Sequence, residues 1–371
     1  MRLVAKILIV GQAAGHFSER GLVGTRAGHE VHWFDDGPAP APAGVASLSH
    51  PPRAPRGLVG TVRAAALRRT LRRLRPDLVH VHFAYQGLAA LALADHPRLV
   101  LTTMGGDVMI EQGQVRSRRR QLLLRLLLCR ARAITCQAPG VEQAVLRWGD
   151  YRHKIHRVRW GVDRGRFRPG LETADLRARH GLAPDELVLF CCRLCQPLYN
   201  KDLALRAFAR ARERGLRARL LVSELYAEPG YRARLDRLVG ELGLGEAVRF
   251  VGAIPHADMP RYFNLADVVL SLPSSDGLPQ SVLEAMACGS YPILGRLALP
   301  VYAELVEGPE HGRLVALDDP GELSEALLEL AEDPALRARA ASAGREHVSR
   351  LADWEDQAAR MNAIYQRVLE G

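Results

Sequence analysis

Short apolar runs recur along the chain, and each is followed by a longer segment with helical or loop character. In the first half the runs occupy residues 5–10, 30–34, 78–83, 99–103 and 133–137. In the second half they occupy residues 187–191, 219–222, 248–251, 266–270, 291–294 and 313–316. Because strands that alternate with helices build parallel sheets, each half is predicted to be a doubly wound α/β domain.

A connector rich in Arg, Gly and Pro, residues 159–170, lies between the two series of runs. We therefore expect a first Rossmann-like domain over residues 1–165 and a second over residues 166–350. The helix-rich end of the chain is expected to pack back on the first domain through residues 351–371. Residues 38–55, which are biased towards Pro and Ala, are expected to form a flexible loop.

The composition is ordinary for a globular chain, since 48% of the 371 residues are hydrophobic and 25% are charged. No apolar run is long enough to span a bilayer, and Lys6 interrupts the first one, which we interpret as a strand rather than a signal peptide. Six cysteines without a secretory signal favour free thiols and a cytoplasmic location. The C-x-x-C spacing within residues 191–195 has no second Cys or His pair at zinc-finger distance, so we assign no metal.

The net charge of +10 comes almost entirely from arginine, because only three of the 51 basic residues are lysines: Lys6, Lys154 and Lys201. Such a charge favours anionic partners. The densest cluster, which precedes a leucine-rich helix, is Arg116, Arg118, Arg119 and Arg120. Two interpretations of this cluster stay open: a contact with a membrane surface or an acidic substrate, or a solvated basic turn at the start of a buried helix.

The segment 272–289, LPSSDGLPQSVLEAMACG, carries the strongest chemical signal. Asp276 lies just before a predicted helix that starts at Ser281, and Glu284 lies within its first turns. In open α/β sheets the loops after the strands line the ligand crevice, and a helix start attracts phosphate. Acids beside that start can accept hydrogen bonds from sugar hydroxyls. The alternative is that Asp276 caps a turn and Glu284 solvates a helix face.

Further motifs along the chain accompany this acid pair. They are RPDLVHVH (75–82), LTTMGGDV (101–108), GVDRGRFRP (161–169), FCCRLCQPLYNKDLALRAFA (190–209), RFVGAIPHADMPRYFNLADVVLSLP (249–273) and DGLPQSVLEAMACGSYPI (276–293). With them the sequence resembles the retaining nucleotide-sugar glycosyltransferases of group 1, or family 4, which have the two-domain GT-B fold. The resemblance implies transfer of a sugar from a nucleotide-diphosphate-sugar to an acceptor hydroxyl, with retention at the anomeric carbon and without a metal or other cofactor.

The resemblance also implies roles for individual residues. It makes Arg193, Lys201 and Asp276 the catalytic set, with the two cations on the donor diphosphate and Asp276 against the donor sugar. Residues implied to bind the donor are Gly15, Arg193, Lys201, Gly277, Leu278, Pro279, Gln280 and Glu284, the last on the ribose. Residues implied to approach the acceptor are His16, His82, Gly105 and Asp107. Met104 stands where the family often has a histidine, and His80 shares a strand face with His82.

Two functions of other classes remain open from the residues alone. An NAD-dependent oxidoreductase would use Asp35 at the end of the second strand, but the loop over residues 11–21 lacks the G-x-G-x-x-G spacing. A non-enzymatic nucleic-acid-binding protein would use the positive charge, but the cations are dispersed and aromatic residues are only 6%. The acceptor stays open among lipid-linked, polysaccharide and small molecules, for glycan, glycolipid or polysaccharide synthesis.

Overall fold

The computed structural model describes residues 4–12, 23–35, 44–109 and 115–371, and over these residues it contains two parallel β-sheets. The first sheet has the order β3-β2-β1-β4-β5-β6-β7. Its strands are β1 (Lys6–Val10), β2 (Glu30–Phe34), β3 (Ser47–Ser49), β4 (Leu78–His82), β5 (Leu99–Thr102), β6 (Ala133–Cys136) and β7 (Ile155–Arg157). The strand order reverses between β1 and β4, and that reversal opens a crevice at their carboxyl ends.

The second sheet has the order β10-β9-β8-β11-β12-β13 and reverses between β8 and β11. Its strands are β8 (Leu187–Cys191), β9 (Ala218–Val222), β10 (Val248–Phe250), β11 (Val268–Ser271), β12 (Tyr291–Gly295) and β13 (Arg313–Val315). The predicted pair of doubly wound α/β domains is therefore confirmed.

Helices connect the strands of both sheets. Those before the connector are α1 (Val59–Leu74), α2 (Ala90–Leu93), α3 (Arg118–Arg130) and α4 (Pro139–Leu146). Those after it are α5 (Ala174–His180), α6 (Lys201–Glu213), α7 (Pro229–Glu241), α8 (Met259–Leu265), α9 (Gln280–Cys288), α10 (Pro320–Glu332), α11 (Pro334–Leu351) and α12 (Trp354–Glu370). None of the helices in the described part of the chain is both long and apolar enough to cross a bilayer.

The sequence pattern missed two short strands at the edges of the first sheet. The prediction of a flexible loop over residues 38–55 is wrong at Ser47–Ser49, which pairs in parallel with β2 as an edge strand. The Ser47 hydroxyl lies 2.7 Å from Nδ1 of His32, which ties this edge down. Strand β7 also escaped the pattern, because Ile155 is the only apolar residue among its three.

The last helix, α12, packs against the first sheet rather than the second. Its buried residues Met361, Ile364 and Tyr365 share a core cluster with Ile7 and Val100. The Tyr365 hydroxyl lies 2.6 Å from Nδ1 of His80, whose Nε2 lies 2.7 Å from the Thr102 hydroxyl. His80 is therefore a packed core histidine that joins the last helix to the sheet.

The chain passes between the two domains twice, and the two crossings contact each other. Val162 N donates to Ala352 O at 2.8 Å, and Arg159 N donates to the Gln357 side chain at 2.9 Å. Gly161 lies so close to the backbone of Trp354 that a Cβ would overlap it. The connector and the start of α12 therefore form one joint between the domains.

A buried carboxylate ties together the loops that follow β4 and β5. Asp107 accepts hydrogen bonds from Ala84 N at 2.5 Å and from Met104 N at 2.9 Å. Burial raises the pKa of Asp107 to about 6, although these backbone donors act in the opposite direction. The carboxylate predicted to approach the acceptor is thus directed into the protein, where it sets the shape of both loops.

The raised pKa of Asp107 makes the free energy of unfolding of the first domain depend on pH. Between about pH 4 and pH 6 the folded protein holds a proton that the unfolded chain has lost, so stability falls as the pH rises. The difference of about two pH units corresponds to about 3 kcal/mol. We expect Asp107→Asn to remove this slope. The measurement is urea unfolding followed by tryptophan fluorescence, since all four tryptophans lie in the first domain or on α12.

Asp185→Asn, at an exposed position of the second domain, is the control and should keep the wild-type dependence on pH. A free-energy difference between wild type and Asp107→Asn that stays constant from pH 4 to pH 7, within about 0.5 kcal/mol, would contradict the assignment.

Candidate functional site

The two domains come into close contact at two glycines, Gly105 and Gly277. A Cβ on Gly105 would lie 3.0 Å from Gly277 N and 3.1 Å from Asp276 O, and a Cβ on Gly277 would overlap Met104 O. Gly105 also has a φ of +110°, which other residues rarely adopt. The loop after β5 and the loop after β11 therefore touch backbone to backbone, and this contact brings together a predicted acceptor residue and a predicted donor residue.

Helix α9 starts directly after this contact. Pro279 precedes it with no side-chain hydrogen bond to the first turn, which also holds no acid. The first-turn N–H groups thus carry the partial positive charge of a helix start. The Gln280 side chain donates to Gly161 O at 2.9 Å, so the helix start is fastened to the connector. Leu278 is buried beneath the loop.

Arg193 and Asp276 form a nearly buried ion pair beside the helix start. Nη1 and Nη2 of Arg193 reach the two carboxylate oxygens at 2.7 and 3.2 Å. Nη1 also donates to the Ser271 hydroxyl at 3.2 Å, and Tyr302 donates to Asp276 at 3.3 Å. Burial alone would lower the pKa of Arg193, but the Asp276 carboxylate holds it well above its ordinary value. The guanidinium is therefore permanently charged and fixed in orientation.

The described contacts of Arg193 use three of its five N–H donors. The guanidinium can therefore bind a further oxygen anion without leaving Asp276. Its guanidinium carbon also lies 4.9 Å from the centre of the Tyr199 ring, a cation–π contact that holds its plane. The pair offers directed positive charge at the carboxyl ends of β8 and β11.

Lys201, the first residue of α6, is 2% exposed. Its ammonium donates to Ser223 O at 2.7 Å and to Cys191 O at 3.2 Å, the carbonyls at the ends of β9 and β8. Burial lowers its pKa. The side chain is thus held at the carboxyl ends of β8 and β9, and Arg193 follows β8 in the chain. No carboxylate is among these contacts of Lys201 to neutralise its charge.

Glu284 lies on the second turn of α9 and is 3% exposed. Its Oε1 lies 3.1 Å from Nε2 of His256, a residue in the loop before α8. The hypothesis that Glu284 merely solvates a helix face is therefore wrong, because the carboxylate is directed inward to a specific partner. A buried carboxylate that keeps a partner suits the binding of vicinal hydroxyls.

The remaining predicted residues have different outcomes. Gly15 and His16 lie outside the described residues. His82 is buried at the end of β4, with its ring centre 5.6 Å from that of Trp160 and 6.0 Å from that of Trp33. The acceptor role of His82 stays a prediction.

Sequence patterns did not single out three polar residues of this region: Ser271, Tyr302 and His256. Ser271 and His256 lie within motifs that carried the family resemblance, but nothing in their spacing indicated a role. Tyr302 lies in the segment after β12, where no periodicity predicts contact with Asp276. Burial raises its pKa, and the neighbouring Asp276 raises it further.

Other side chains of the described residues have the composition of a metal site or a reactive thiol site. The ligand atoms of Glu307, His311 and His347 lie within 4.8 Å of one another. The two imidazoles stack with 4.2 Å between centres and 15° between planes, so they do not direct lone pairs at one point. All six cysteines are free thiols, and burial raises the pKa of Cys191 to about 12. We assign neither group a role in the site.

Two family models match the chain: Glycosyltransferase Family 4 over residues 23–166 and Glycosyl transferases group 1 over residues 172–347. D-inositol 3-phosphate glycosyltransferase 2 of Catenulispora acidiphila is 30% identical over 291 residues, which are 76% of this chain and 62% of the relative. D-inositol 3-phosphate glycosyltransferase 1 of that organism is 29% identical over 65% of this chain and 58% of its own length. The chain thus spans less than two thirds of the length of these relatives.

Solved structures match the fold over nearly all of the chain. Sucrose-phosphate synthase from Thermosynechococcus elongatus superimposes with a TM-score of 0.83 and 21% identity, covering 98% of this chain and 99% of that one. HepE from Anabaena, solved in complex with UDP and glucose, superimposes with a TM-score of 0.82 and 18% identity over the same shares. No match supports an oxidoreductase or a nucleic-acid-binding protein. With both halves matched by glycosyltransferase models and both domains matched by the GT-B fold, the chain belongs to the group 1 glycosyltransferases.

Proposed function

We propose that the protein transfers a sugar from a nucleotide-diphosphate-sugar to an acceptor hydroxyl with retention of the anomeric configuration. The observation that carries this proposal is that three positive groups lie at the carboxyl ends of neighbouring strands in the second sheet. They are the fixed guanidinium of Arg193, the buried ammonium of Lys201 and the start of α9. A departing diphosphate carries charge that such groups stabilise, and we propose that no divalent metal takes part.

We propose the same donor roles that the family resemblance implied. Glu284 binds the ribose hydroxyls, and the backbone of residues 277–280 donates to the phosphates and the sugar. Asp276 lies against the donor sugar. It also orients Arg193, because its carboxylate is paired with the guanidinium. A nucleotide donor is in keeping with the HepE structures, which were solved in complex with UDP and with UDP-glucose.

The close contact between Gly105 and Gly277 supports a transfer to an acceptor other than water. We infer that backbone contact across the cleft restricts the entry of solvent beside a bound donor, and a site that excludes water limits hydrolysis of the donor. The acceptor would enter from the first domain. The names of the curated relatives, which are D-inositol 3-phosphate glycosyltransferases, favour an acceptor that carries negative charge.

The donor site makes a direct prediction for nucleotide binding. Among UDP, GDP, ADP, TDP and NAD, we expect a nucleoside diphosphate to raise the melting temperature by a few degrees. A ligand at a hundred times its Kd stabilises by roughly 2.7 kcal/mol. Lys201→Ala and Glu284→Ala should each abolish that shift, because they remove a phosphate and a ribose contact. The measurement is a thermal-shift assay of each variant with each nucleotide.

Lys154→Ala provides a matched control for Lys201→Ala. Lys154 also donates to two backbone carbonyls, Cys129 O at 2.9 Å and Ala131 O at 3.0 Å, but it lies in the first domain away from α9. The Lys154→Ala substitution should lower the melting temperature of the protein while keeping the shift that the nucleotide induces. A shift by NAD alone, or a full shift in both Lys201→Ala and Glu284→Ala, would refute the donor site.

We further propose that the protein is cytoplasmic and binds the inner face of the cell membrane through one surface of the first domain. That surface joins the starts of α1 and α3 and the segment 85–91 between them: Gly60 lies next to Leu88, and Arg120 lies over the Tyr85 ring. Its exposed apolar residues are Leu58, Val59, Leu91 and Leu122, the last 66% exposed. Its exposed cations are Arg53, Arg56, Arg116, Arg118, Arg119 and Arg120.

Apolar and cationic side chains on one surface match a bilayer that contains anionic lipid. No acidic residue occurs between residues 51 and 76 or between residues 115 and 141, so both of these segments carry a net positive charge. By binding the membrane, the basic cluster would bring the protein close to an acceptor that is held there.

Vesicle binding tests this surface. We expect the protein to sediment with phosphatidylglycerol vesicles and not with phosphatidylcholine vesicles. Each basic residue at an anionic surface contributes about 1 kcal/mol, so Arg118→Glu with Arg119→Glu should weaken binding by roughly tenfold or more. The matched control, Arg206→Glu with Arg217→Glu, changes the same charge at exposed positions of the second domain. Equal losses in the two double variants would refute the surface and leave only an effect of net charge.

A further inference from the structure

His256 connects the predicted ribose carboxylate to the joint between the domains. We propose that His256 is a positioning residue, which fixes the Glu284 carboxylate for the ribose hydroxyls of the donor, and that Arg166 of the connector selects the required tautomer of His256. This inference rests on the proposed donor role of Glu284. It extends that role to two residues that act through Glu284 without themselves touching the reacting atoms.

The contacts of the imidazole use both of its nitrogens. Nε2 lies 3.1 Å from Oε1 of Glu284, and Nδ1 lies 3.3 Å from Nη2 of Arg166. The same Nη2 donates to the backbone carbonyl of His256. Arg166 therefore holds both the main chain and the ring of His256, and the ring in turn reaches the carboxylate.

The identity of the two partners determines where the imidazole hydrogen lies. A guanidinium has donors but no acceptor, so Nδ1 must accept the hydrogen bond from Arg166. In the neutral ring the hydrogen is then on Nε2, which donates to the Glu284 carboxylate. The order Arg166, His256, Glu284 is thus a chain in which every hydrogen bond runs towards the acid.

Packing fixes the plane of the ring. The side chain of Phe167, 2% exposed, lies with its ring centre 5.6 Å from that of His256, and Phe263 packs behind it at 6.3 Å from Phe167. The side chain of His256 remains 24% exposed, whereas that of Glu284 is only 4% exposed. The carboxylate is therefore oriented from one side by a ring that cannot turn freely.

A carboxylate held in this way discriminates between sugars. Two hydroxyls of a ribose can each donate to a fixed carboxylate, and a 2′-deoxyribose loses one of these bonds. A site built to pair with a hydroxyl rejects the analogue that lacks it, because the buried acceptor is left unpaired. A carboxylate that could rotate would lose part of this discrimination, since preorganisation lowers the entropy cost of binding.

The location of Arg166 adds a second consequence. Arg166 belongs to the connector at residues 159–170, next to Val162 and its contact with the start of α12. The acid that holds the nucleotide is thereby fastened to the segment where the two domains join. Binding of the ribose and the geometry of the joint are therefore coupled through the imidazole of His256, in addition to the Gln280 contact with Gly161 O.

The experiment measures the Kd of UDP, GDP and ADP and of their 2′-deoxy counterparts by calorimetry. For the base that binds, His256→Ala should weaken the ribonucleotide by about tenfold, which is about 1.4 kcal/mol. It should weaken the deoxynucleotide by much less, so that the ratio of the two Kd values falls. His256→Gln, which keeps an N–H donor near the Nε2 position, should restore most of the ratio. Arg166→Leu should lower the ratio as well.

His180→Ala is the matched control, because His180 is a partly buried histidine of the second domain that contacts the Tyr262 hydroxyl at 3.1 Å. It should leave the ratio unchanged. An equal loss for both nucleotides in His256→Ala, with no rescue by His256→Gln, would show a merely structural residue and overturn the inference. If His256→Ala does not fold, His256→Gln and Arg166→Leu decide between the same outcomes.

The failure of this inference and the failure of the proposed function give different results. If Glu284→Gln lowers the ratio of ribonucleotide to deoxynucleotide affinity but His256→Ala does not, Glu284 binds the ribose without help from His256. If Glu284→Gln leaves every nucleotide affinity unchanged, the donor site itself is wrong and the inference falls with it.

Discussion

The structure depends on one contact in which the two domains meet without side chains. Gly105 and Gly277 bring the backbone of the loop after β5 against the backbone of the loop after β11. A Cβ at Gly277 would overlap Met104 O, and a Cβ at Gly105 would crowd the backbone of Asp276 and Gly277, so either would push the two loops apart. The cleft therefore has a fixed narrow point, and the Arg193–Asp276 pair, the start of α9 and the loop of Asp107 all lie within a few residues of it. The absence of a side chain at these two positions decides how near the two loops can come.

Buried charge is distributed unevenly across this narrow point. On the second domain, Arg193 is balanced by Asp276, and Lys201 is held by carbonyl dipoles alone among its described contacts. On the first domain, Asp107 is buried with backbone donors and a pKa raised to about 6. Desolvated groups of this kind respond strongly to an added charge, because the surrounding medium screens it weakly. Arg193 and Lys201 therefore place positive charge on the second-domain side of this narrow point, as the proposed diphosphate donor requires.

Hydrophobic pattern was sufficient to predict both sheets, because buried parallel strands are short continuous apolar runs that turn residues punctuate. It failed at Ser47–Ser49, whose polar residues pair only because β2 offers an open edge. The sequence indicated the acid pair because Asp276 and Glu284 belong to one continuous motif, residues 276–293. Tyr302 and His256 could not be found in this way, since their contacts to those acids close over 26 and 28 positions of chain. Such contacts are decided by tertiary packing.

The scarcity of lysine has a practical consequence for the folded molecule. Lys201 is 2% exposed and Lys154 is 9% exposed, and each ammonium is engaged by two carbonyls. The side chain of Lys6, at the start of β1, is 35% exposed. An amine-directed reagent would therefore modify Lys6 well ahead of the other two lysines. A dye or a surface linker coupled through this amine would be attached at the amino-terminal end of β1, an interior strand of the first sheet, on the side that faces away from the cleft.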